Sequence, residues 1–281
     1  MGKKKKNGLL ARLLVVILFC AGISFLAYPV ISNMHNQWQN AQHQAEYDRV
    51  IKAQSANESR KLWKNAQAYN EEHTYNTSVD IFGENKKAAD TDRYQYRKML
   101  NPTGDGMMGY IEIPKINIML SVFHGTSNEV LEKGVGHLAG TSLPVGGDNS
   151  HCVLAAHRGL PSAKLFTDLD QIEKGDKFYL HMIDHTLAYQ IDQIKIIKPK
   201  QLEDELAIIS GDDLVTLLTC TPYGVNTHRL LVRGHRISMD SHKKINPLRK
   251  YIRYGVLATI IVFLIGVKWY VWKKRKKRKT K

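Results

Sequence analysis

Hydrophobic and polar positions divide this chain into two apolar ends, a polar segment and a long region of short apolar runs. Residues 13–33 carry no charge and are long enough to cross a bilayer as a helix. Residues 254–272 form a second apolar span, in which Lys268 can snorkel to an interface lined by aromatic residues. The first run lacks the small-x-small exit of a cleaved signal peptide, and apolar residues surround the second on all sides. Both are therefore predicted to be transmembrane helices.

The segment after the first span predicts helix without a strong core. Residues 34–73 are rich in Gln, Asn and Ala and contain neither Pro nor Gly, which favours a helical stalk. Residues 74–106 contain several turn signals around one predicted helix, 90–100, and are interpreted as a connecting segment.

Between residues 107 and 240 the pattern changes to short β-like runs separated by glycine and asparagine turns. At least seven strands predict a mainly β domain, either a closed barrel or a sandwich. The predicted strands are 109–113, 118–123, 152–156, 177–181, 187–191, 193–197, 214–219 and 229–234. Short helices are expected at 127–133, 165–169 and 202–207.

The charge distribution explains the net charge of +15 without a nucleic-acid partner. Residues 1–45 and 241–281 carry five and fourteen basic residues and no acidic residue, whereas residues 46–240 sum to −4. A nucleic-acid-binding domain would carry its positive excess on the folded body. Basic residues beside apolar spans instead indicate the cytoplasmic side. We therefore expect cytoplasmic tails at 1–12 and 273–281, a juxtamembrane linker at 241–253, and an exported domain between the spans.

Three residues carry candidate chemistry: His157, Cys220 and Arg229. Each alone is equally compatible with a structural role, as a strand cap, a small buried side chain or a surface charge. Cys220 ends one predicted strand and Arg229 begins the next, so an antiparallel hairpin would bring the two together. A cation beside a thiol favours the nucleophilic thiolate, and a histidine nearby would complete a cysteine–histidine pair.

The run TLLTC at 216–220, followed by Arg229, resembles the signature of the sortase family. The stretches GHLAGTSLP at 136–144, AAHRGLP at 155–161 and GHR at 234–236 resemble its class C, pilin-polymerising branch. The resemblance implies an eight-stranded sortase-type β-barrel and a membrane-anchored cysteine transpeptidase of a Gram-positive bacterium. It implies no cofactor. The implied partners are pilin subunits with an LPxTG-like sorting signal and an acceptor lysine, besides membrane lipid.

By the same resemblance, Cys220 corresponds to the nucleophile, His157 to the general acid/base, and Arg229 to the group that orients the substrate and stabilises the oxyanion. Class C enzymes also share a lid with an Asp-Pro-aromatic triplet. Here the matching residues are Asp80 and Phe82, but isoleucine replaces the proline. We expect Asp80 to pair with Arg229 and Phe82 to cover Cys220.

Other interpretations stay open. A sortase that anchors proteins to the cell wall would use the same residues with a different acceptor amine. A non-enzymatic, membrane-tethered β-domain would keep Cys220 as a structural residue, and an exported pair of cysteines could form a Cys152–Cys220 disulfide. We predict instead that Cys152 is a buried filler. The remaining histidines lack the spacing of a metal site, so no metal is predicted.

Overall fold

The computed structural model describes residues 3–72, 93–239, 244–247 and 268. It divides into two compact units, Met1–Ile245 and Asn246–Lys281, and everything below concerns the first. Within the described residues, eight strands close a barrel in the order β1-β2-β3-β4-β7-β8-β6-β5. The strands are β1 (Met107–Ile113), β2 (Ile118–His124), β3 (Val135–His137), β4 (Ser150–Ala155), β5 (Lys177–Met182), β6 (His185–Ile197), β7 (Asp213–Thr221) and β8 (His228–Ile237). The predicted eight-stranded barrel is confirmed.

Two details of the sheet differ from the sequence prediction. The runs 187–191 and 193–197 are one strand, β6, because the chain passes the intervening Asp192 as a bulge opposite β8. A bulge adds one residue to one strand of a pair and leaves the ladder intact on both sides. The short strand β3 was not predicted, since three residues give too little alternation to detect. It pairs parallel with β2 and antiparallel with β4, and it closes the barrel there.

Five α-helices are described: α1 (Lys3–Ala53), α2 (Ala56–Glu72), α3 (Arg93–Lys98), α4 (Asn128–Lys133) and α5 (Leu202–Glu205). The helix predicted at 165–169 is replaced by turns that lead into a 3-10 helix, Leu169–Gln171. Helix α1 contains an apolar stretch of mean hydropathy 2.5 starting at Leu13, long enough to cross a membrane. Of the second predicted span, 254–272, only Lys268 is described.

The predicted stalk is helical, and its first half lies along the barrel wall. Asn40 Nδ2 donates to the backbone oxygen of Lys133 at 3.1 Å, and its Oδ1 accepts from the Ser121 amide at 2.8 Å. Further along α1, the Tyr47 hydroxyl donates to Met108 O and accepts from the Ile183 amide. These polar contacts satisfy backbone groups on the barrel and fix α1 against β1 and β2.

Buried apolar side chains of the described residues form three clusters, and the largest includes members from all eight strands. Phe178 and Tyr189 stack within this cluster with ring centroids 5.3 Å apart, and both are fully buried. The Tyr189 hydroxyl donates to Asp213 at 2.8 Å, so the polar end of this ring is satisfied. Gly234 lies directly against Phe178, where a Cβ atom would come within 2.7 Å of the ring. The core therefore fixes β5, β6 and β8, and with them the strand that carries Arg229.

Candidate active site

Cys220 and Arg229 are brought together by the β7–β8 ladder. They are direct partners in an antiparallel register that runs without a break from Leu214↔His235 to Thr221↔His228. Side chains of directly opposed residues project from the same face of a sheet. The structure therefore gives the hairpin arrangement expected from the sequence, with the thiol and the guanidinium at one end of the barrel.

His157 reaches the same end through β4, which runs parallel to β7. The paired register ends at Ala155↔Leu218, and two further bonds continue the contact beyond the strand. The Ala156 amide donates to Leu218 O at 3.2 Å, and the Thr219 hydroxyl donates to Ala156 O at 2.8 Å. The residue before His157 is thus bonded to Thr219, the residue before Cys220.

The three side chains differ in exposure. Cys220 and Arg229 are 6% and 3% exposed, and His157 is half-buried. A buried guanidinium requires hydrogen-bond acceptors. Arg229 Nη1 donates to the backbone oxygens of Asn226 at 3.0 Å and His228 at 3.1 Å. These bonds hold the cation against the base of the β7–β8 loop.

The β7–β8 loop, residues 222–227, has a defined conformation that supports this contact. The amides of Val225 and Asn226 both donate to Pro222 O, and Asn226 adopts a left-handed backbone with φ of 60°. Asparagine tolerates this conformation better than most residues do. The turn directs the Asn226 carbonyl toward Arg229, and so it contributes to the position of the guanidinium.

The loop after β4 contributes residues that the sequence analysis did not single out. Arg158 donates from Nη1 to the Thr221 hydroxyl at 3.2 Å and forms an ion pair with Asp170. The Phe166 amide donates to His157 O at 3.1 Å. Arg158 lies within the AAHRG stretch, but the motif alone could not indicate that its side chain bridges to β7. Nor could the sequence assign Thr219 its bond to Ala156 O, because threonine is common in strands whatever its role.

Gly159 allows the loop after β4 to pack closely against the β7–β8 loop. Its φ of +81° is a conformation that favours glycine, and a Cβ atom there would lie 3.1 Å from the Tyr223 ring. The loop after β4 and the β7–β8 loop are therefore in contact beside Cys220 and His157.

The other cysteines do not compete with Cys220. Cys20, Cys152 and Cys220 form no disulfide, so the Cys152–Cys220 bond considered above is not present. Cys152 is buried in the core, and this burial raises the pKa of its thiol well above the usual value. A thiol held neutral and enclosed by apolar side chains is a packing element, as predicted for this residue.

Within the described ranges, no group of three or more His, Cys, Asp or Glu side chains could hold a metal ion. Buried histidines there are engaged in other hydrogen bonds. His151, for example, lies between Ala207 O and the Thr216 hydroxyl. The two predicted lid residues, Asp80 and Phe82, lie outside the described residues.

Comparisons of this chain with known proteins all point to one family. Residues 111–237 match the model of the Sortase domain. Sortase D of Bacillus subtilis is 31% identical over 155 residues, which cover 53% of this chain and 73% of that protein. Sortase C-1 of Streptococcus pneumoniae has a solved structure 47% identical to this chain, with a TM-score of 0.65 over 71% of this chain and all of the other. Sortase C1 of Streptococcus agalactiae gives 45% identity and a TM-score of 0.64 over the same shares. A further crystal structure of S. pneumoniae sortase C, at 42% identity and a TM-score of 0.64, is described as informative on catalysis and pilin substrate specificity.

Proposed function

Because the chain belongs to the sortase family of cysteine transpeptidases, we propose that it cleaves an LPxTG-like sorting signal and joins pilin subunits through isopeptide bonds to lysine. The solved relatives are class C sortases, and one of them is described in terms of pilin substrates. The single observation that carries the proposal is the convergence of Cys220, Arg229 and the end of β4 at one mouth of the barrel.

The first half of the proposed reaction forms an acyl-enzyme. The Cys220 thiolate attacks the carbonyl carbon of the threonine in the sorting signal, and a sulfur–carbon bond forms. Arg229 stabilises the negative charge on the carbonyl oxygen. Protonated His157 gives its proton to the departing glycine amine as the amide bond breaks. The product is a thioester between Cys220 and the pilin.

The second half transfers the acyl group. The amine of a lysine on the next pilin attacks the thioester carbonyl, and His157 takes up the proton that this amine loses. The sulfur–carbon bond breaks, and an isopeptide bond joins the two subunits. One amide is exchanged for another, so the reaction needs no nucleotide. Arg158 and Thr219 act as positioning residues, since each bonds the backbone or a side chain next to the reacting groups.

For the lid, we propose that Asp80 pairs with Arg229 and that Phe82 covers Cys220 before substrate arrives. The barrel mouth provides a cation to pair with, and the sequence supplies the acid and the aromatic residue two positions apart. The isoleucine between them leaves the backbone less restricted than a proline would. Such a lid would limit hydrolysis of the thioester and select for substrates that displace it.

For the membrane arrangement, we propose two spans, 13–33 and 254–272, with the basic tails 1–12 and 273–281 in the cytoplasm. The apolar helix α1 and the clustering of basic residues at both ends support this topology. The stalk 34–73, the connecting segment 74–106, the barrel 107–240 and the linker 241–253 would then lie outside the cell.

The function is tested with the full-length protein in detergent and a purified pilin that carries both a sorting signal and an acceptor lysine. We expect a ladder of covalent oligomers on a denaturing gel. Cys220→Ala should abolish the ladder, whereas the matched control Cys152→Ala should retain it. A ladder that persists with Cys220→Ala would remove the enzymatic interpretation. Conversion of pilin into a single adduct with an added cell-wall peptide amine, without oligomers, would favour the anchoring sortase instead.

A further inference from the structure

The three proposed catalytic residues lie at one end of the barrel, and strand direction identifies the other structures at that end. β4 and β7 run toward it, and β8 starts from it. β1 also runs toward it, because β3 is antiparallel to β4, β2 is parallel to β3, and β1 is antiparallel to β2. This active-site end therefore contains the β1–β2 turn, the loop after β4 and the β7–β8 loop. The opposite end contains the β5–β6 turn at Ile183.

Helix α1 runs from the active-site end toward the opposite end. Asn33 Oδ1 accepts from the Lys164 amide at 2.8 Å, in the loop after β4. Asn40 then meets Ser121 in β2, and Tyr47 reaches the Ile183 amide at the opposite end. The fourteen helical steps from Asn33 to Tyr47 rise about 20 Å, close to the height of a small barrel. Lys164 is two residues from Phe166, whose amide bonds His157 O, so α1 first contacts the barrel beside the proposed catalytic histidine.

The apolar part of α1 ends at this same level. No charged residue occurs from Leu13 to Met34, and Asn33 already bonds the barrel. One turn beyond Met34, Trp38 is 51% exposed, as is typical of aromatic residues at a membrane interface. A bilayer that contains the apolar segment would therefore have its surface next to the active-site end.

We propose that the active-site end of the barrel faces the lipid surface and that the β7–β8 loop contacts the interfacial region of the bilayer. Tyr223 and Val225, two residues apart in this loop, are 58% and 63% exposed, so the loop presents two large apolar side chains to its surroundings. Lys115 and Lys164 at the same end pair with nearby carboxylates. The contact therefore depends on apolar insertion and on the fixed helix, and does not require anionic lipid.

This arrangement deepens the proposed function, because it selects for peptides whose scissile bond lies close to the membrane. A substrate that is itself held in the bilayer would present its sorting signal at the level of Cys220, without the barrel having to tilt. The orientation itself rests on the contacts of α1 and does not depend on turnover, so it can be tested separately.

The test uses the full-length protein in nanodiscs, with the photoreactive residue p-benzoylphenylalanine at position 223 or, as a matched control, at position 184. Asp184 is exposed in the β5–β6 turn, about 20 Å farther from the membrane by the rise of α1. After irradiation, mass spectrometry should find lipid adducts at position 223 and none above background at 184. The yield should be similar in phosphatidylcholine alone and in mixtures with phosphatidylglycerol.

Equal lipid labelling at both positions, or labelling at 184 alone, would overturn the proposed orientation. So would adducts at position 223 that join only other residues of the same chain. Unchanged melting temperatures of both variants confirm that the substitutions left the fold intact. Because no substrate is present, failure of this experiment leaves the transpeptidase proposal standing, and failure of the pilin ladder leaves the orientation standing.

Discussion

Cys220 and Arg229 are paired directly across the β7–β8 ladder, so the separation of their backbones is set by the hydrogen bonds of the sheet. Opposed residues in an antiparallel pair have Cβ atoms roughly 5 Å apart, within reach of a long side chain. The Asn226 carbonyl in the loop and the His228 carbonyl at the start of β8 then hold the guanidinium. A cation fixed in this way can act on the thiolate and on a developing oxyanion without reorganising during the reaction.

Replacing Arg229 with lysine tests whether the planar guanidinium, with its several N–H donors, matters in addition to the positive charge. Lysine cannot contact the Asn226 and His228 carbonyls and a substrate oxyanion in the same geometry. For Arg229→Lys we expect kcat/KM for pilin ligation to fall by about 10²- to 10³-fold, in line with the loss of one oxyanion donor. Single-turnover acylation of Cys220 by a sorting-signal peptide measures this directly.

Arg233→Lys is the matched control, because Arg233 lies on the same strand and makes a bidentate ion pair with Asp192 at 3.1 and 2.7 Å. Arg233→Lys should keep the acylation rate within about twofold of the parent protein, because this ion pair does not touch the reacting groups. Equal losses in both variants would show that the effect of Arg229 is structural.

Thr219 should influence the reaction through the position of His157. Its hydroxyl donates to Ala156 O, one residue before the histidine. In Thr219→Val this buried carbonyl loses a donor, which costs about 1–3 kcal/mol of stability. A histidine displaced by even 1 Å lowers turnover by up to about 10²-fold. The measurement is the pH profile of acylation, in which the limb assigned to His157 should shift or flatten, and Thr219→Ser should restore it.

Thr216→Val separates this effect from general destabilisation. The Thr216 hydroxyl donates to His151 Nε2 at 2.8 Å in the same strand, away from the barrel mouth. Thr216→Val should lose about as much stability in urea unfolding as Thr219→Val, while its pH profile of acylation stays that of the parent. If both variants changed the profile alike, Thr219 would have no specific positioning role.

The choice of a barrel over a sandwich came from the resemblance to the sortase family, whereas the sequence pattern was sufficient for a mainly β domain and for the Cys220–Arg229 pair, for a physical reason. Both depend on local patterns, namely strands of alternating polarity and a hairpin whose two ends must meet. The third member, His157, depends on the parallel pairing of β4 with β7, which brings together residues 63 positions apart. No local periodicity encodes such a crossover, and the family motif supplied the expectation instead.

The stalk shows what the sequence could not predict. Its composition predicted a helix, but nothing in the pattern indicated that Asn40 and Tyr47 would lie against the barrel. Polar residues on a helix normally face water, and here they satisfy backbone groups of β1, β2 and the β5–β6 turn. The direction of α1 relative to the active site, and so the proposed membrane orientation, could only come from these tertiary contacts.

The proposed lid gives a prediction about reagent access. If Asp80 pairs with Arg229 and Phe82 covers Cys220, removal of either side chain opens the mouth of the barrel. Asp80→Ala and Phe82→Ala should then increase the rate at which a thiol reagent labels Cys220, measured by mass spectrometry in a Cys152→Ala background. Glu71→Ala, at an exposed site in α2, serves as the control and should leave this rate unchanged. Unaltered labelling in Asp80→Ala would count against the lid.

His137 predicts how stability depends on pH. Its ring is fully buried between the Tyr96 hydroxyl, which donates to Nδ1, and Ser142 O, which accepts from Nε2. Burial lowers the pKa of His137 from 6.5 to about 4, so between these values the unfolded chain binds a proton that the folded chain does not. The free energy of unfolding should therefore fall as pH drops from about 6.5 to 4, by about 3 kcal/mol from this residue. Urea unfolding at several pH values should show a smaller loss in His137→Gln than in the parent or in His235→Gln, whose side chain is exposed. An identical pH dependence in all three proteins would contradict the prediction, because the proton uptake would then originate elsewhere.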